Sequence, residues 1–247
     1  MIDVTRNERV AGLTINVPPV NVLGSAVLEE LSACLEGLAE EPELAAVVIA
    51  GDGRCFSAGA SVAEHRVGEA ARMVAALGRA CTAIASFPIP VVAMVHGSCL
   101  GGAMELVEAC DFVVADPDAT FGQPEIKLAF FPPVAAYELP RLTGRQNAAY
   151  LMLTGESIGA ERAVAMGLVQ KILPVDRWPE IELLFNRLSA AALRVTKKAL
   201  QLGAGARDAA RLAALEELFL TDLYALEDPA EGIEAFEARR RPEWKHR

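Results

Sequence analysis

The sequence predicts an α/β protein: a core of alternating strands and helices followed by a helical C-terminal portion. Hydrophobic residues make up 53% of the 247 residues against 23% charged, enough for a chain of this length to bury a full core. Three nearly continuous apolar runs, AAVVIAG (45–51), PVVAMVHG (90–97) and DFVVAD (111–116), have the length and character of strands covered on both faces. Stretches of helical spacing lie between them, the order that builds a sheet flanked by helices.

The elements follow in chain order. A hairpin-like start places a strand over Gly12 to Val17, and Asn21 to Gly24 forms a turn. Ser25 then opens a helix whose Val27, Leu28, Leu31, Leu35 and Leu38 recur at helical spacing. After the strand at 45–51, a second helix runs from about Ala70 to Ser86 and stops where Pro88 and Pro90 forbid continuation. The strand at 90–97, a helix over GGAMELVEAC (101–110), the strand at 111–116 and a short strand near Leu168 to Leu173 complete the alternation. From Glu180 to Arg240 the chain is Ala/Leu-rich and reads as largely helical. Pro and Gly stand singly between these segments as turn punctuation, and no repeat is visible.

Several function classes are disfavoured. Lys plus Arg (23) against Asp plus Glu (33) gives a net charge of −10, so no overall field gathers nucleic acid. Five cysteines without a C-x-x-C pair and only three histidines point to neither a disulfide framework nor a metal site. That cysteine pattern makes a reducing cytoplasm the expected compartment, and the start, MIDVTRNERV, shows no basic and then apolar pattern of an export signal. Ala80 to Met104 contains no charged side chain and is long enough to span a membrane, but Pro88, Pro90, Gly97, Gly101 and Gly102 cut it into a helix end, a buried strand and a glycine turn.

Two motif-like segments fail on context. GDGRCF (51–56) follows a strand as a dinucleotide fingerprint would, but Phe56 occupies the third glycine position and no helix begins there. GSCLG (97–101) has the form of a nucleophile elbow with Cys99 as the nucleophile, yet the only later histidine is His246. A small buried residue in a tight turn is the plainer reading of Cys99.

A stronger constellation joins FSAGAS (56–61), CLGGAMEL (99–106) and FGQPEI (121–126). A helix starting at Gly101 and Gly102 presents free N–H groups with no side chain in the way of a substrate oxygen. A second N–H from the Ala58-Gly59-Ala60 turn would make a pair able to hold a thioester oxygen as it becomes an enolate. Glu105, in the first helical turn, and Glu125, after Pro124, would supply the base and the acid for adding water across a conjugated C=C. Spacing alone leaves the plainer alternatives open: Glu105 as a favourable charge at a helix start, Glu125 as a surface turn residue.

Those pieces resemble the crotonase, or enoyl-CoA hydratase/isomerase, superfamily. The similarity runs through PPVNVL (18–23), AGAS (58–61), residues 90–116, ATFGQPEI (119–126), AVAMGLV (163–169) and EGIEAFEARRRPEW (231–244). It implies a spiral of ββα turns over residues 1–185 and a C-terminal helical region over 186–247 used in trimer formation, often in a hexamer built as a dimer of trimers. It also implies an acyl-CoA thioester as substrate, with CoA entering only as part of it and no separate cofactor. By position in the motifs, the N–H groups of Ala60 and Gly102 form the oxyanion hole. Glu105 activates water, Glu125 protonates the α-carbon, and Ala58 lies near the adenine end of CoA. Ser61, His65, Gly101 and Pro133 are the further residues expected to border CoA or the acyl group, with a purely structural histidine as the alternative for His65. The basic cluster Arg239, Arg240, Arg241, Lys245 and Arg247 either reaches CoA phosphates or forms a solvated tail.

Departures from the common pattern are informative. Ser61 stands where many hydratases carry Asp, and FFPPVAAYELPRL (130–142) replaces a glycine-rich loop, stiffening and reshaping the acyl pocket. AEH (63–65), FGQPEI and FPPVA (131–135) together resemble hydratases of alicyclic dienoyl-CoA thioesters. Having both glutamates favours hydration. Isomerisation and thioester hydrolysis on the same fold remain the enzymatic alternatives, and an RNA-binding relative is the non-enzymatic one.

Overall fold

In the computed structural model, which describes residues 1–65, 70–203, 214, 216–223 and 225–247, the apolar runs pair into one main sheet. Strands β1 (Ile2–Asn7) and β2 (Val10–Ile15) form an antiparallel hairpin with Ile2 opposite Ile15. From β2 the sheet continues in parallel through β3 (Ala46–Gly51), β4 (Val91–Val95), β6 (Phe112–Ala115) and β9 (Lys171–Ile172). Every residue of β4 is buried, because parallel strands joined by helical crossovers are covered on both faces.

Alternation along the strands divides the core in two. One face directs Leu13, Ile15, Val47, Ile49, Val91 and Ala93 against helices α1 (Ser25–Ala39) and α2 (Ala70–Ser86). The other directs Val10, Val48, Val92, Met94 and Val114 against Ile181 and Phe185 of α7 (Pro179–Asn186). Helix α1 buries Leu28, Leu31, Leu35 and Leu38, as its spacing predicts, with Val27 at the margin. Its N-terminus has no side-chain cap of its own. The Glu64 carboxylate, from a 3-10 turn at Val62–His65, accepts the Ser25 N–H at 3.0 Å instead.

A second, smaller sheet lies beside the first: β5 (Ser98–Leu100) parallel to β7 (Thr120–Gly122), which pairs antiparallel with β8 (Ser157–Gly159). Each follows a main-sheet strand or a helix directly, so the chain winds as strand, strand, helix: β4, β5, α3 (Gly102–Glu108), then β6 and β7. That winding is the spiral of ββα turns expected from the resemblance.

Some expectations need correction. The strand placed over Gly12–Val17 is β2 at Val10–Ile15, and the one near Leu168–Leu173 narrows to Lys171–Ile172. Residues 130–142 are not a stiffened loop over their whole length: Pro133 opens α4 (Pro133–Thr143). Pro at the first helical position gives up an N–H that has no partner there in any case. Helices α5 (Arg145–Thr154) and α6 (Ala160–Met166) were not singled out in the sequence. The C-terminal portion contains α7, α8 (Ala190–Gly203), a π-helical turn at Phe219–Leu223 and α9 (Asp228–Glu237). The helical expectation for 204–213, 215 and 224 falls outside the described residues. The uncharged stretch Ala80–Met104 is split among α2, β4, β5 and α3, and among the described residues no helix is long and apolar enough to cross a membrane.

One half-buried ion pair, with the lysine inside and the aspartate open to solvent, fastens the C-terminal helices to the sheet. Lys197 of α8, 3% exposed, donates to Asp111 Oδ2 at 2.6 Å and to the Ile89 carbonyl at 3.0 Å, and the same Asp111 oxygen accepts the Val91 N–H. Asp111 reaches solvent and keeps the Val91 N–H when the lysine is removed, so Lys197→Met loses the charged hydrogen bonds without stranding a buried charge and is expected to cost on the order of 1–2 kcal/mol. A urea titration reads this as a lowered midpoint. An unchanged midpoint would show that α8 is not held through this pair.

Candidate active site

The second sheet brings the distant sequence pieces together. Ser57 bridges Cys99, Cys99 pairs with Phe121, and Phe121 pairs with Ile158, forming one row across the sheet. Ser57, Cys99 and Phe121 are wholly buried. Their segments run parallel, so the chain leaves them at a common edge. Ala60, Gly102 and Glu125 are the residues that follow shortly after each.

At that edge the backbones of Ala60 and Gly102 nearly touch. A β-carbon built on Gly102 would lie 3.0 Å from the Ala60 β-carbon and 3.4 Å from the Ala60 nitrogen. Neither the Ala60 nor the Gly102 N–H donates to another group among the described residues. The Gly102 N–H opens α3, where the first amides of a helix have no internal acceptor. Gly101 turns the chain into α3 with φ +54° and ψ −128°, and its N–H donates to the Gly122 carbonyl at 2.9 Å.

Glu105 and Glu125 border the same cavity as Ala60 and Gly102, a space of about 120 Å³ also walled by His65, Phe130, Phe131, Pro133 and α2 side chains. The larger open grooves over α1 and α2 and over α2 and α4 contain neither glutamate. Glu105 is 2% exposed, and its Oε1 accepts the N–H groups of Val134 at 2.7 Å and Ala135 at 3.0 Å. Both donors belong to the first turn of α4, whose positive end favours an anion. Burial raises the Glu105 carboxyl above the ordinary range, and those two amides and His65 oppose the rise.

Glu125 has no such cradle. It sits in a 3-10 turn at Pro124–Leu128, and its Oε2 is buried without a hydrogen-bond partner among the described residues. Burial, with the nearby Glu105 adding to it, raises Glu125 to about 7. Two carboxyls at one cavity therefore differ: Glu105 is held by two helix-start amides, whereas Glu125 has only its own backbone N–H to oppose burial, with its Oε2 unpartnered among the described residues. Environments that push paired carboxyls apart in this way separate a base from an acid.

The other expected residues divide. His65 borders the cavity, with Nδ1 at 2.8 Å from the Ser61 carbonyl oxygen and its ring 5.2 Å from that of Phe130. Pro133 borders it as the first residue of α4. Gly101 and Ser61 lie behind the lining: Gly101 presses against Glu125, and the Ser61 N–H donates to the Leu23 carbonyl. Ala58 is exposed outside the cavity, its N–H given to the Val20 carbonyl. Of the C-terminal basic cluster, Arg240 pairs with Glu231 and Arg247 with Glu227, so these two are engaged within their own region. Cys99 is fully buried and its thiol is pushed well above its usual range, which removes it as a nucleophile.

The Val134 and Ala135 amides and the facing residues Met73, Val74 and Leu77 of α2 were not identified from the sequence. The Pro132-Pro133 pair held the available signal for the first two, as a helix-start signature read only as stiffening.

Comparison with known proteins identifies the family. Residues 5–247 match the enoyl-CoA hydratase/isomerase family. A cyclohexa-1,5-dienecarbonyl-CoA hydratase from Thauera aromatica is 33% identical over 248 residues, covering 98% of this chain and 95% of that protein. A 2,3-dehydroadipyl-CoA hydratase from Escherichia coli (strain K12) is 37% identical over 251 residues, covering 99% and 98% of the two chains. The crystal structure of an enoyl-CoA hydratase from Bacillus anthracis superposes with a TM-score of 0.93 at 31% identity, covering 100% of this chain and 99% of that one. Across its whole length, in sequence and in fold, the chain belongs to the enoyl-CoA hydratase/isomerase family.

Proposed function

We propose that Glu105 and Glu125 add water across the conjugated C=C of an acyl-CoA thioester whose carbonyl oxygen is held by the N–H groups of Ala60 and Gly102, and that the acyl group is an alicyclic dienoyl ring. The enzyme is a hydro-lyase of the enoyl-CoA hydratase type, acting on acyl-CoA thioesters. The observation that carries the roles is the contrast between the two carboxyls. Glu105, cradled by the Val134 and Ala135 amides, is the better anion and takes a proton from water through its free Oε2. Glu125, raised to about 7 by burial and so able to carry a proton near neutral pH, gives that proton to the α-carbon.

Electrons and protons balance within this site. The water oxygen bonds to the β-carbon as Glu105 takes its proton, and the π electrons pass to the thioester oxygen. Two fixed N–H donors stabilise that oxygen without reorganising. The enolate then collapses as Glu125 protonates the α-carbon, and solvent returns a proton from Glu105 to Glu125. The chemistry needs no group beyond the side chains, the two amides and the CoA of the substrate.

The ring is supported by the shape of the cavity. About 120 Å³ enclosed by Phe130, Phe131, Pro133 and α2 is on the scale of the ~150 Å³ apolar space that accepts benzene in another protein. The Thauera aromatica relative is by name a hydratase of such a ring. Assembly into three or six copies is part of the same proposal. It is supported by the large apolar side chains exposed in the C-terminal portion, Leu200, Leu220 and Ile233.

The test offers purified enzyme crotonyl-CoA and, separately, cyclohexa-1,5-diene-1-carboxyl-CoA, following the conjugated thioester absorbance and the product mass. Gain of one water with a higher kcat/KM for the cyclic thioester is expected. A preference for crotonyl-CoA sinks the ring, and no gain of water from either sinks the proposed roles.

A further inference from the structure

A third glutamate stands behind the pair that borders the cavity. Glu108, the last residue of α3, lies one turn beyond Glu105 and is 4% exposed. Its Oε1 accepts a hydrogen bond at 3.0 Å from Nε2 of Gln123, which is wholly buried and precedes Glu125 by two residues. The remaining oxygens of the same two side chains, Glu108 Oε2 and Gln123 Oε1, are both buried without a partner among the described residues. Two acceptors left over on two groups that already share one hydrogen bond are satisfied together by a single proton.

We propose that Glu108 is a neutral carboxylic acid joined to Gln123 by two hydrogen bonds in a closed ring, and that it acts as a positioning residue holding the chain that carries Glu125. In the ring the Gln123 N–H donates to one Glu108 oxygen, and the Glu108 O–H donates to the Gln123 carbonyl. The titratable groups around Glu108 are Glu105 on its own helix, Glu125 beyond Gln123, Glu138 on α4, and the thiols of Cys81 on α2 and Cys99 on β5. None of these is a cation. A buried carboxylate among acids and thiols, without a countercharge, takes up a proton. Burial raises Glu108 well above the ordinary carboxylate range, with the donor from Gln123 opposing it.

Two consequences follow for the proposed chemistry, on which this inference rests. A neutral Glu108 keeps a further negative charge away from Glu125, whose neutral form the reaction uses. The ring also ties the end of α3, which carries Glu105, to the segment entering Glu125, so the acid and the base are set by one strut.

The test uses the full-length protein and two variants. In difference infrared spectra at pH 8, wild type against Glu108→Gln should lose a protonated-carboxyl C=O band, distinguished from Glu125 by its persistence in Glu125→Gln. A difference confined to carboxylate bands overturns the neutral acid. The amide of Glu108→Gln can rebuild a closed pair with Gln123, whereas Glu108→Leu cannot. Glu108→Leu should therefore lower kcat on the order of 10-fold or more with little change in KM, since a displaced acid loses rate rather than binding. Glu108→Gln should recover most of that loss and leave the alkaline limb of the kcat/KM profile where it is in wild type. A limb displaced to lower pH means that Glu108 carried a charge and overturns the proposal, and the same comparison decides if Glu108→Leu fails to fold. An enzyme that hydrates neither thioester would defeat the roles given to Glu105 and Glu125, while the infrared result would still decide the state of Glu108.

Discussion

Glu105→Gln and Glu125→Gln are each expected to lower kcat by about 10²–10⁴-fold, the range over which a positioned acid or base contributes, with KM changed little. The two losses should not add in the double variant, because an acid without its base completes no turnover. The variants separate in their pH dependence. Glu125 is raised to about 7 by burial and has to be protonated at the start of hydration. The wild-type kcat/KM should therefore be sustained below that value and fall as pH rises through about 7. Glu105 has to be ionised, so its protonation sets the acid limb at a pH raised above the ordinary glutamate range by burial. In Glu125→Gln the alkaline limb should vanish from the residual activity, and in Glu105→Gln the acid limb should. Measured profiles in which each variant lost the opposite limb would exchange the roles of acid and base, and limbs retained in both variants would place the proton transfers elsewhere.

Replacing Gly101 by Ala should damage both rate and stability, for two separable reasons. At φ +54° and ψ −128° an L side chain is strained by about 1–3 kcal/mol. The new methyl would also come within 2.4 Å of Glu125 Oε1, so the Glu125 side chain has to swing away from the cavity. Loss of kcat on the order of 10²-fold is expected from such a displacement of the reacting acid. Two companions divide the causes. At Gly53, with φ +72° and nothing near the new methyl, Ala should lower Tm and leave kcat alone. At Gly102, where the methyl presses on Ala60 and Leu77, Ala should reduce kcat by spreading the two N–H donors while Tm falls less than in Gly101→Ala. Thermal melts and steady-state rates on the three variants check this, and a Gly101→Ala enzyme with wild-type kcat would remove Glu125 from the reaction.

The main sheet was readable because its strands are continuous apolar runs: residues 90–97 could be little else than a strand covered on both sides, and β4 is buried throughout. The second sheet was not, although it assembles the site. β5, β7 and β8 have three residues each, too few to show any period, and glycines occupy positions where strands are usually weak. The pieces holding Ala60, Gly102, Glu105 and Glu125 were found one by one, while their convergence came only with the resemblance; the row Ser57, Cys99, Phe121 now supplies its geometric reason. The Glu105 cradle escaped because its donors are backbone amides of Val134 and Ala135, marked only indirectly by the prolines that open α4. Glu108 escaped because a lone glutamate at the end of a short helix looks like surface until Gln123 is found against it.

The crossover connections have a further consequence, for the order in which the chain acquires its shape. Among the described strands, only β1 and β2 pair as consecutive segments; β3 must find β2, and β4 must find β3, across whole helices. The amides that hold Glu105 come from 29 and 30 residues away. Contacts of such long sequence separation are closed at an entropic cost before they return any stability, which slows folding and favours populated intermediates in chains of this size. A nascent chain that has reached Gly102 holds both amides of its oxyanion pair but neither carboxylate, and it has no functional site until α4 has emerged and docked.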